Sequence, residues 1–228
     1  MVALDLDADG PHVLVAGTTG AGKSELLTTL VLGLALQHPP HRLALLLADF
    51  KGGTGLGPLA GLPHVVDHVD DLDAGAARRT LTGLRAELRR RERALAAAGV
   101  ADVRRLDPDA PGTPPRLLVV VDELRALVDD VPEAVDVLTR IAAQGRALGV
   151  HLVLATQRPA GVVTADLRAN VTQRVALRVA DDADSRDVVD VPDAAHLDPA
   201  HPGRGLVRVG SRAPRAVQVA RARQRRAG

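Results

Sequence analysis

Gly17-Thr18-Thr19-Gly20-Ala21-Gly22-Lys23-Ser24 is the stretch from which the rest of this chain can be read. An apolar run, His12-Val13-Leu14-Val15-Ala16, precedes it. From Glu25 to Gln37 after it, Leu26, Leu27, Leu30, Val31 and Leu34 recur at helical spacing. Strand, glycine loop and helix in that order present successive backbone N–H groups and the positive end of a helix to an anion. The pattern GxxxxGK[S/T] adds an ammonium that reaches the outer phosphates of a nucleotide and a hydroxyl suited to its magnesium ion. An ordinary glycine turn ahead of a helix is the bland alternative, and the strand before and helix after speak against it. The expectation is that Gly17, Thr18, Thr19, Gly20, Ala21, Gly22, Lys23, Ser24 and Glu25 hold ATP, with Ser24 a ligand of Mg2+.

Two further strand ends carry polar groups. Leu117-Leu118-Val119-Val120-Val121 is the strongest strand signal in the chain, and it ends in Asp122-Glu123. Carboxylates at the C-terminal end of a strand face the ligand crevice of an α/β sheet. Asp122 is therefore expected to support magnesium, and Glu123 to polarise an attacking water. That assigns hydrolysis; transfer to another acceptor would need a pocket that the sequence does not identify. Val150 to Ala155 forms another strand, ending at Thr156-Gln157-Arg158-Pro159. There Gln157 either touches the γ-phosphate and orients water or simply caps the strand.

Around this frame the remaining elements fall into place. Pro39 and Pro40 end the first helix, and Leu43 to Ala48 is an unalternating apolar run of the kind buried on both faces of a parallel sheet. Glycines at 52, 53, 55, 57 and 61 make a loop, and Val65-Val66 a short strand. Ala74 to Ala98 is a long helix with Leu81, Leu84, Leu88 and Leu95 on one face; Arg85, Arg89, Arg90, Arg91 and Arg93 read as its solvated side. After a proline-rich loop from Pro108 to Pro115, a helix is expected from about Pro132 to Leu148. Strands are expected over Asn170 to Val179 and Gly205 to Val209, with a helical or irregular acidic stretch, Asp181 to Asp193, between them. The predicted architecture is α/β: one domain over residues 1–228, a largely parallel central sheet flanked by helices, and residues 210–228 as a basic tail or linker.

Composition narrows the setting. Apolar residues make up 46% and charged residues 25%, as expected for a chain that folds on its own core. Without cysteine, disulfides and thiolate metal sites are excluded, which fits a cytoplasmic location. The apolar runs fall short of the roughly 20 residues that a membrane helix needs, so any membrane link is expected to lie outside this chain. The eight histidines lack metal-ligand spacing and read as structural or surface residues. Net charge is +1, but Pro199 to Gly228 holds eight arginines and no carboxylate, which leaves −7 on the first 198 residues. Such an end suits nucleic acid phosphates, a solvated edge or a linker. Of 29 basic residues only Lys23 and Lys51 are lysine. A planar guanidinium does not replace a compact ammonium among phosphates, so each lysine is a candidate for a specific requirement, Lys51 for an interdomain or cargo contact.

These motifs in this order resemble the FtsK/SpoIIIE superfamily of hexameric motor ATPases over about His12 to Val209. Besides Gly17 to Leu27 and Val119 to Glu123, the likeness is carried by Asp49-Phe50-Lys51-Gly52-Gly53, Leu62-Pro63-His64, Gly145-Arg146-Ala147-Leu148-Gly149-Val150-His151, Ala155-Thr156-Gln157-Arg158-Pro159, and Asn170 with Arg174. The resemblance implies a RecA-like P-loop NTPase core, assembly into a ring, and Arg146 as the finger that completes the neighbouring subunit's site in trans. The Lys-Ser-Glu-Leu-Leu, Asp-Phe-Lys-Gly-Gly and Leu-Pro-His stretches look most like the EccC/EssC branch of type VII secretion, whose parent proteins are membrane-anchored. Ala-Thr-Gln-Arg-Pro is shared with DNA-translocating members. The family usually has an aromatic after the paired carboxylates, where this chain has Leu124, and no winged-helix DNA-reading module follows the core. The implied function is an ATP-driven motor moving a secreted polypeptide, with duplex DNA as the rival cargo and a nucleotide-dependent scaffold with little turnover as the reading of another class.

Overall fold

The apolar runs become the middle of one eight-stranded sheet. The computed structural model describes residues 4–50, 55–69 and 74–222. Its strands are β1 (His12–Ala16), β2 (Leu43–Asp49), β3 (Val65–Val69), β4 (Arg116–Asp122), β5 (Val150–Thr156), β6 (Gln173–Leu177), β7 (Arg204–Val209) and β8 (Arg215–Gln218), in the order β3-β2-β4-β5-β1-β6-β7-β8. From β3 to β6 all neighbours are parallel. The helices are α1 (Lys23–Gln37), α2 (Ala74–Ala97), α3 (Leu124–Asp130), α4 (Ala134–Leu148), α5 (Ala165–Asn170) and α6 (Asp182–Val189). β1, β2 and β5 are buried at every residue, which explains why their sequences do not alternate.

Alternate residues of each strand enter two cores. Val13, Val15, Leu45, Leu47, Leu118, Val120 and Val153 meet Leu27 and Val31 of α1 on one face. Leu14, Leu46, Val119, Val121, Leu152 and Leu154 meet Leu81, Leu84 and Leu88 of α2 and Leu138 and Ile141 of α4 on the other. The sheet thus lies between helical layers, with the carboxyl ends of its six parallel strands gathered along one rim.

Several expectations need correction. The stretch read as strand from Asn170 holds the end of α5, capped by Thr164, whose hydroxyl accepts the Leu167 N–H; β6 starts only at Gln173. α3 was not foreseen. Part of the basic tail is not a tail: β8 pairs antiparallel with β7, itself antiparallel to β6. Arg91 does not belong to the solvated face of α2. It is 2% exposed. Its guanidinium donates to the carbonyls of Leu148, Gly149 and Pro115 and pairs with Glu87, so it caps the C-terminal end of α4, where a cation is electrostatically favoured. Burial pulls it below the ordinary arginine value, against the opposing carboxylate of Glu87.

Candidate functional site

The glycine loop between β1 and α1 is stitched to both strands that flank β1. Gly17 N–H donates to the Thr156 carbonyl at the end of β5 (3.2 Å), and Thr18 donates through its N–H (2.9 Å) and hydroxyl (3.1 Å) to the Arg178 carbonyl just beyond β6. Gly20 (φ 78°) and Gly22 (φ 102°) take left-handed backbone that a side chain would strain. Gly22 has a second reason to lack one, because a Cβ there would lie 2.8 Å from the Gly203 nitrogen, which itself donates to the Ala21 carbonyl. The turn before β7 thereby braces the loop from outside.

Lys23, 5% exposed, donates to Asp122 Oδ1 across the rim. β5 lies between β1 and β4, so its end separates the glycine loop from the paired carboxylates. Gln157, next along, accepts a hydrogen bond from the Thr19 hydroxyl (3.0 Å). Glu123 closes β4 in left-handed backbone (φ 72°), uncommon for a residue with a side chain. Its Oε1 accepts from the Thr156 hydroxyl (3.0 Å) and the Gln157 N–H (3.3 Å). Oε2 of Glu123 and Oδ2 of Asp122 are buried without a hydrogen-bond partner among the described residues.

The site also uses a residue to which sequence reading gave no role. Asp49 ends β2 in register with Asp122 and is fully buried. Its Oδ2 accepts the N–H groups of Gly55 (2.9 Å) and Leu56 (3.1 Å), folding the loop after β2 back onto the rim. A Cβ on Gly55 would sit 2.8 Å from Asp122 Oδ2 and 3.4 Å from both Ser24 Oγ and Asp49 Oδ2, so three oxygens converge on one point. Of these, Asp49 Oδ2 already takes two N–H groups, and the oxygens of Ser24 and Asp122 are of the kind that suits a hard divalent cation such as Mg2+. The available signal was the same as for Asp122: a carboxylate closing an unbroken apolar run.

The structure brings Gly17 to Ser24, Asp122, Glu123 and Gln157 to one rim. Glu25, in the first turn of α1, points a carboxylate oxygen at Arg221 (3.9 Å) rather than across the rim. Arg146 lies elsewhere. It sits in the last turn of α4, where its guanidinium donates to the Asp7 carbonyl, at the amino end of the strands and about 20 Å, one strand length, from its own chain's Lys23. A role in hydrolysis for Arg146 therefore requires a second copy. Lys51, with Gly52 and Gly53, falls outside the described residues. Among the described residues no helix is long and apolar enough to cross a membrane.

Comparison with known proteins gives this arrangement relatives. The sequence model of the FtsK/SpoIIIE family matches residues 1–161. The type VII secretion system protein EssC of Staphylococcus aureus (strain NCTC 8325 / PS 47) is 40% identical over 209 residues, covering 90% of this chain and 14% of its own length. Among solved structures, the cytoplasmic domain of the Thermomonospora curvata type VII secretion ATPase EccC superposes with a TM-score of 0.86 at 36% identity, over 93% of this chain and 26% of that one. ATPases 2 and 3 of the same organism's EccC, in complex with a signal sequence peptide, superpose with a TM-score of 0.80 at 34% identity, over 93% of this chain and 39% of that one. This chain thus spans about one seventh of the length of the curated relative.

Proposed function

The chain belongs to the FtsK/SpoIIIE family, and from that premise we propose that it binds and hydrolyses ATP as a motor module that moves a polypeptide in the manner of type VII secretion. The observation that carries the proposal is the convergence of Lys23, Ser24, Asp122, Glu123 and Gln157 on one strand rim, with the glycine loop between them. Lys23 would exchange Asp122 for the outer phosphates, drawn by their greater charge. Backbone N–H groups from Gly17 to Ser24 would hold the remaining phosphate oxygens. Ser24 and Asp122 would hold Mg2+, which would neutralise charge on the phosphates; Asp49 would fix the loop beside it. Glu123 would take a proton from the attacking water as the bond between the γ-phosphorus and the bridging oxygen breaks, releasing ADP and inorganic phosphate. Gln157 would orient that water. Arg146 of an adjoining copy in a ring, hexameric by family resemblance, would supply the remaining cation.

Polypeptide as cargo is supported by the likeness to EssC and by the signal sequence peptide bound to ATPases 2 and 3 of EccC. Duplex DNA is favoured by the arginines after Pro199 and by the Ala155-Thr156-Gln157-Arg158-Pro159 stretch shared with DNA-translocating members. Among the described residues, three of those arginines pair within the chain: Arg208 with Asp190 (3.1 Å), Arg212 with Asp9 (3.5 Å) and Arg221 with Glu25 (3.9 Å). Arg208 is largely covered in its pair, whereas Arg212 and Arg221 stay exposed in theirs.

The test is steady-state ATP hydrolysis across a protein-concentration series, with and without Mg2+ and duplex DNA, using Lys23→Ala as the blank. Specific activity that rises with concentration, needs Mg2+ and ignores DNA supports the reading. Stimulation by DNA that weakens steeply with salt transfers it to DNA translocation. No hydrolysis at any concentration, with nucleotide still bound, leaves a scaffold instead.

A further inference from the structure

Glu123 is useful as a base only if one carboxylate oxygen is held and the other is left to accept. The structure has that asymmetry. Oε1 takes two donors, the Thr156 hydroxyl at 3.0 Å and the Gln157 N–H at 3.3 Å, while Oε2 is buried with no partner among the described residues. Thr156 has no exposed surface. It ends β5, the strand standing between the glycine loop and the carboxylates, and the Gly17 N–H bonds to its carbonyl. One residue therefore touches both halves of the site, by its backbone on one side and its side chain on the other.

The hydroxyl has a second acceptor. The Arg158 carbonyl lies 3.1 Å from Thr156 Oγ1, and the Arg158 N–H donates to that same oxygen at 3.2 Å. A hydroxyl carries one proton, so Glu123 and the Arg158 carbonyl compete for it. Donation to the carboxylate is the stronger choice, because hydrogen bonds to a charged acceptor exceed those to a neutral one. If Glu123 swings away, the carbonyl takes over the donor and no buried hydroxyl is stranded. Glu123 makes this contact from left-handed backbone (φ 72°).

We propose that Thr156 is a positioning residue for hydrolysis, whose hydroxyl, with the Gln157 N–H, pins Oε1 of Glu123 so that Oε2 faces the attacking water. The inference rests on the reading of Glu123 as the hydrolytic carboxylate.

The test compares wild type with Thr156→Val, which keeps the shape and loses the hydroxyl, and Thr156→Ser, which keeps the hydroxyl, at protein concentrations where specific activity has levelled. Thr156→Val is expected to lower kcat about tenfold, with KM for ATP and the affinity for a fluorescent ATP analogue within about twofold, and Thr156→Ser to restore most of kcat. The same valine in a Glu123→Gln background should leave the residual rate nearly unchanged, because Thr156 acts through Glu123. Unchanged kcat in Thr156→Val, a matching loss in KM and analogue binding, or a full tenfold further loss on top of Glu123→Gln would each overturn the proposal while the ATPase reading stands. Wild type that binds the analogue yet never exceeds the Lys23→Ala blank would overturn both.

Discussion

The two rims of the sheet bury polar side chains under opposite rules. At the amino rim, His12 has no exposed surface and both ring nitrogens bonded: the Leu152 N–H donates to Nδ1 (3.0 Å), which puts the proton on Nε2, the donor to the Ala142 carbonyl (3.2 Å). Arg91 nearby spends its nitrogens on three carbonyls and a carboxylate. At the carboxyl rim, Asp122 and Glu123 each keep a buried oxygen without a partner among the described residues, and Glu123 adds strained backbone. Gln173, whose amide oxygen is unpartnered, and His64, whose Nδ1 is, are exceptions at the amino rim among the described residues. The contrast teaches that the same strands carry stability at one end and, on the proposed function, chemistry at the other, where buried carboxylate oxygens are left without a protein partner among the described residues.

Perturbing each rim should therefore give opposite signatures. The largest effect is expected at the carboxyl rim, where Glu123→Gln should lower kcat for ATP by about 10²- to 10⁴-fold while the thermal midpoint stays level or rises. A variant that unfolds more readily than wild type would place Glu123 on the structural side of the comparison. At the amino rim, Arg91→Met should cost about 3–5 kcal/mol in urea unfolding, since three carbonyls lose their donor at once. Nucleotide affinity below the transition should be unchanged.

Next comes acid sensitivity. Burial first, and then the neighbouring His151, push His12 down from 6.5 to about 4. The unfolded chain therefore takes up that proton at a higher pH than the native one. Stability from His12 is complete above about pH 6.5, declines as pH falls and is gone below about 4, a loss of about 3 kcal/mol. Unfolding free energies measured from pH 7 to pH 4 should show that slope, and His12→Asn should flatten it; an equal slope in the variant would assign the sensitivity to other groups. The smallest effect is expected at the arginine next to Arg91. Arg90 is half exposed and, among the described residues, pairs with Glu87 alone, so Arg90→Ala should cost under about 0.5 kcal/mol by the same urea titration.

Arg90 and Arg91 also mark where the sequence stopped being legible. Both belong to one arginine run; only Arg91 continues the stripe of Leu81, Leu84, Leu88 and Leu95, but that spacing says nothing of the α4 end and the Pro115 carbonyl that arrive beside it from elsewhere in the chain and let a guanidinium be buried there. The central strands and the glycine loop were readable because burial on both faces and phosphate binding each impose their own pattern. α5, six residues long, is too short for helical periodicity to register, and β8, at the sheet's edge, has no buried face to enforce alternation. At the site, Asp122, Glu123 and Gln157 could be chosen because each closes an apolar run. Asp49 closes one too, but its bonds to Gly55 and Leu56 depend on a loop conformation that composition does not encode. The contact of Thr156 with Glu123 joins residues 33 positions apart and is made from left-handed backbone at Glu123, which sequence alone does not signal.

The position of β1 has a consequence in time. It is the first strand in the chain, yet its neighbours are β5 and β6, and His12 meets Leu152 only after 140 further residues have been made. Contacts of such long sequence separation form late, and a strand with both edges unpaired invites the wrong partner meanwhile. During synthesis the glycine loop thus emerges early but has no walls until β5 and β6 arrive, so a nascent chain that holds nucleotide firmly is one whose central sheet has already closed.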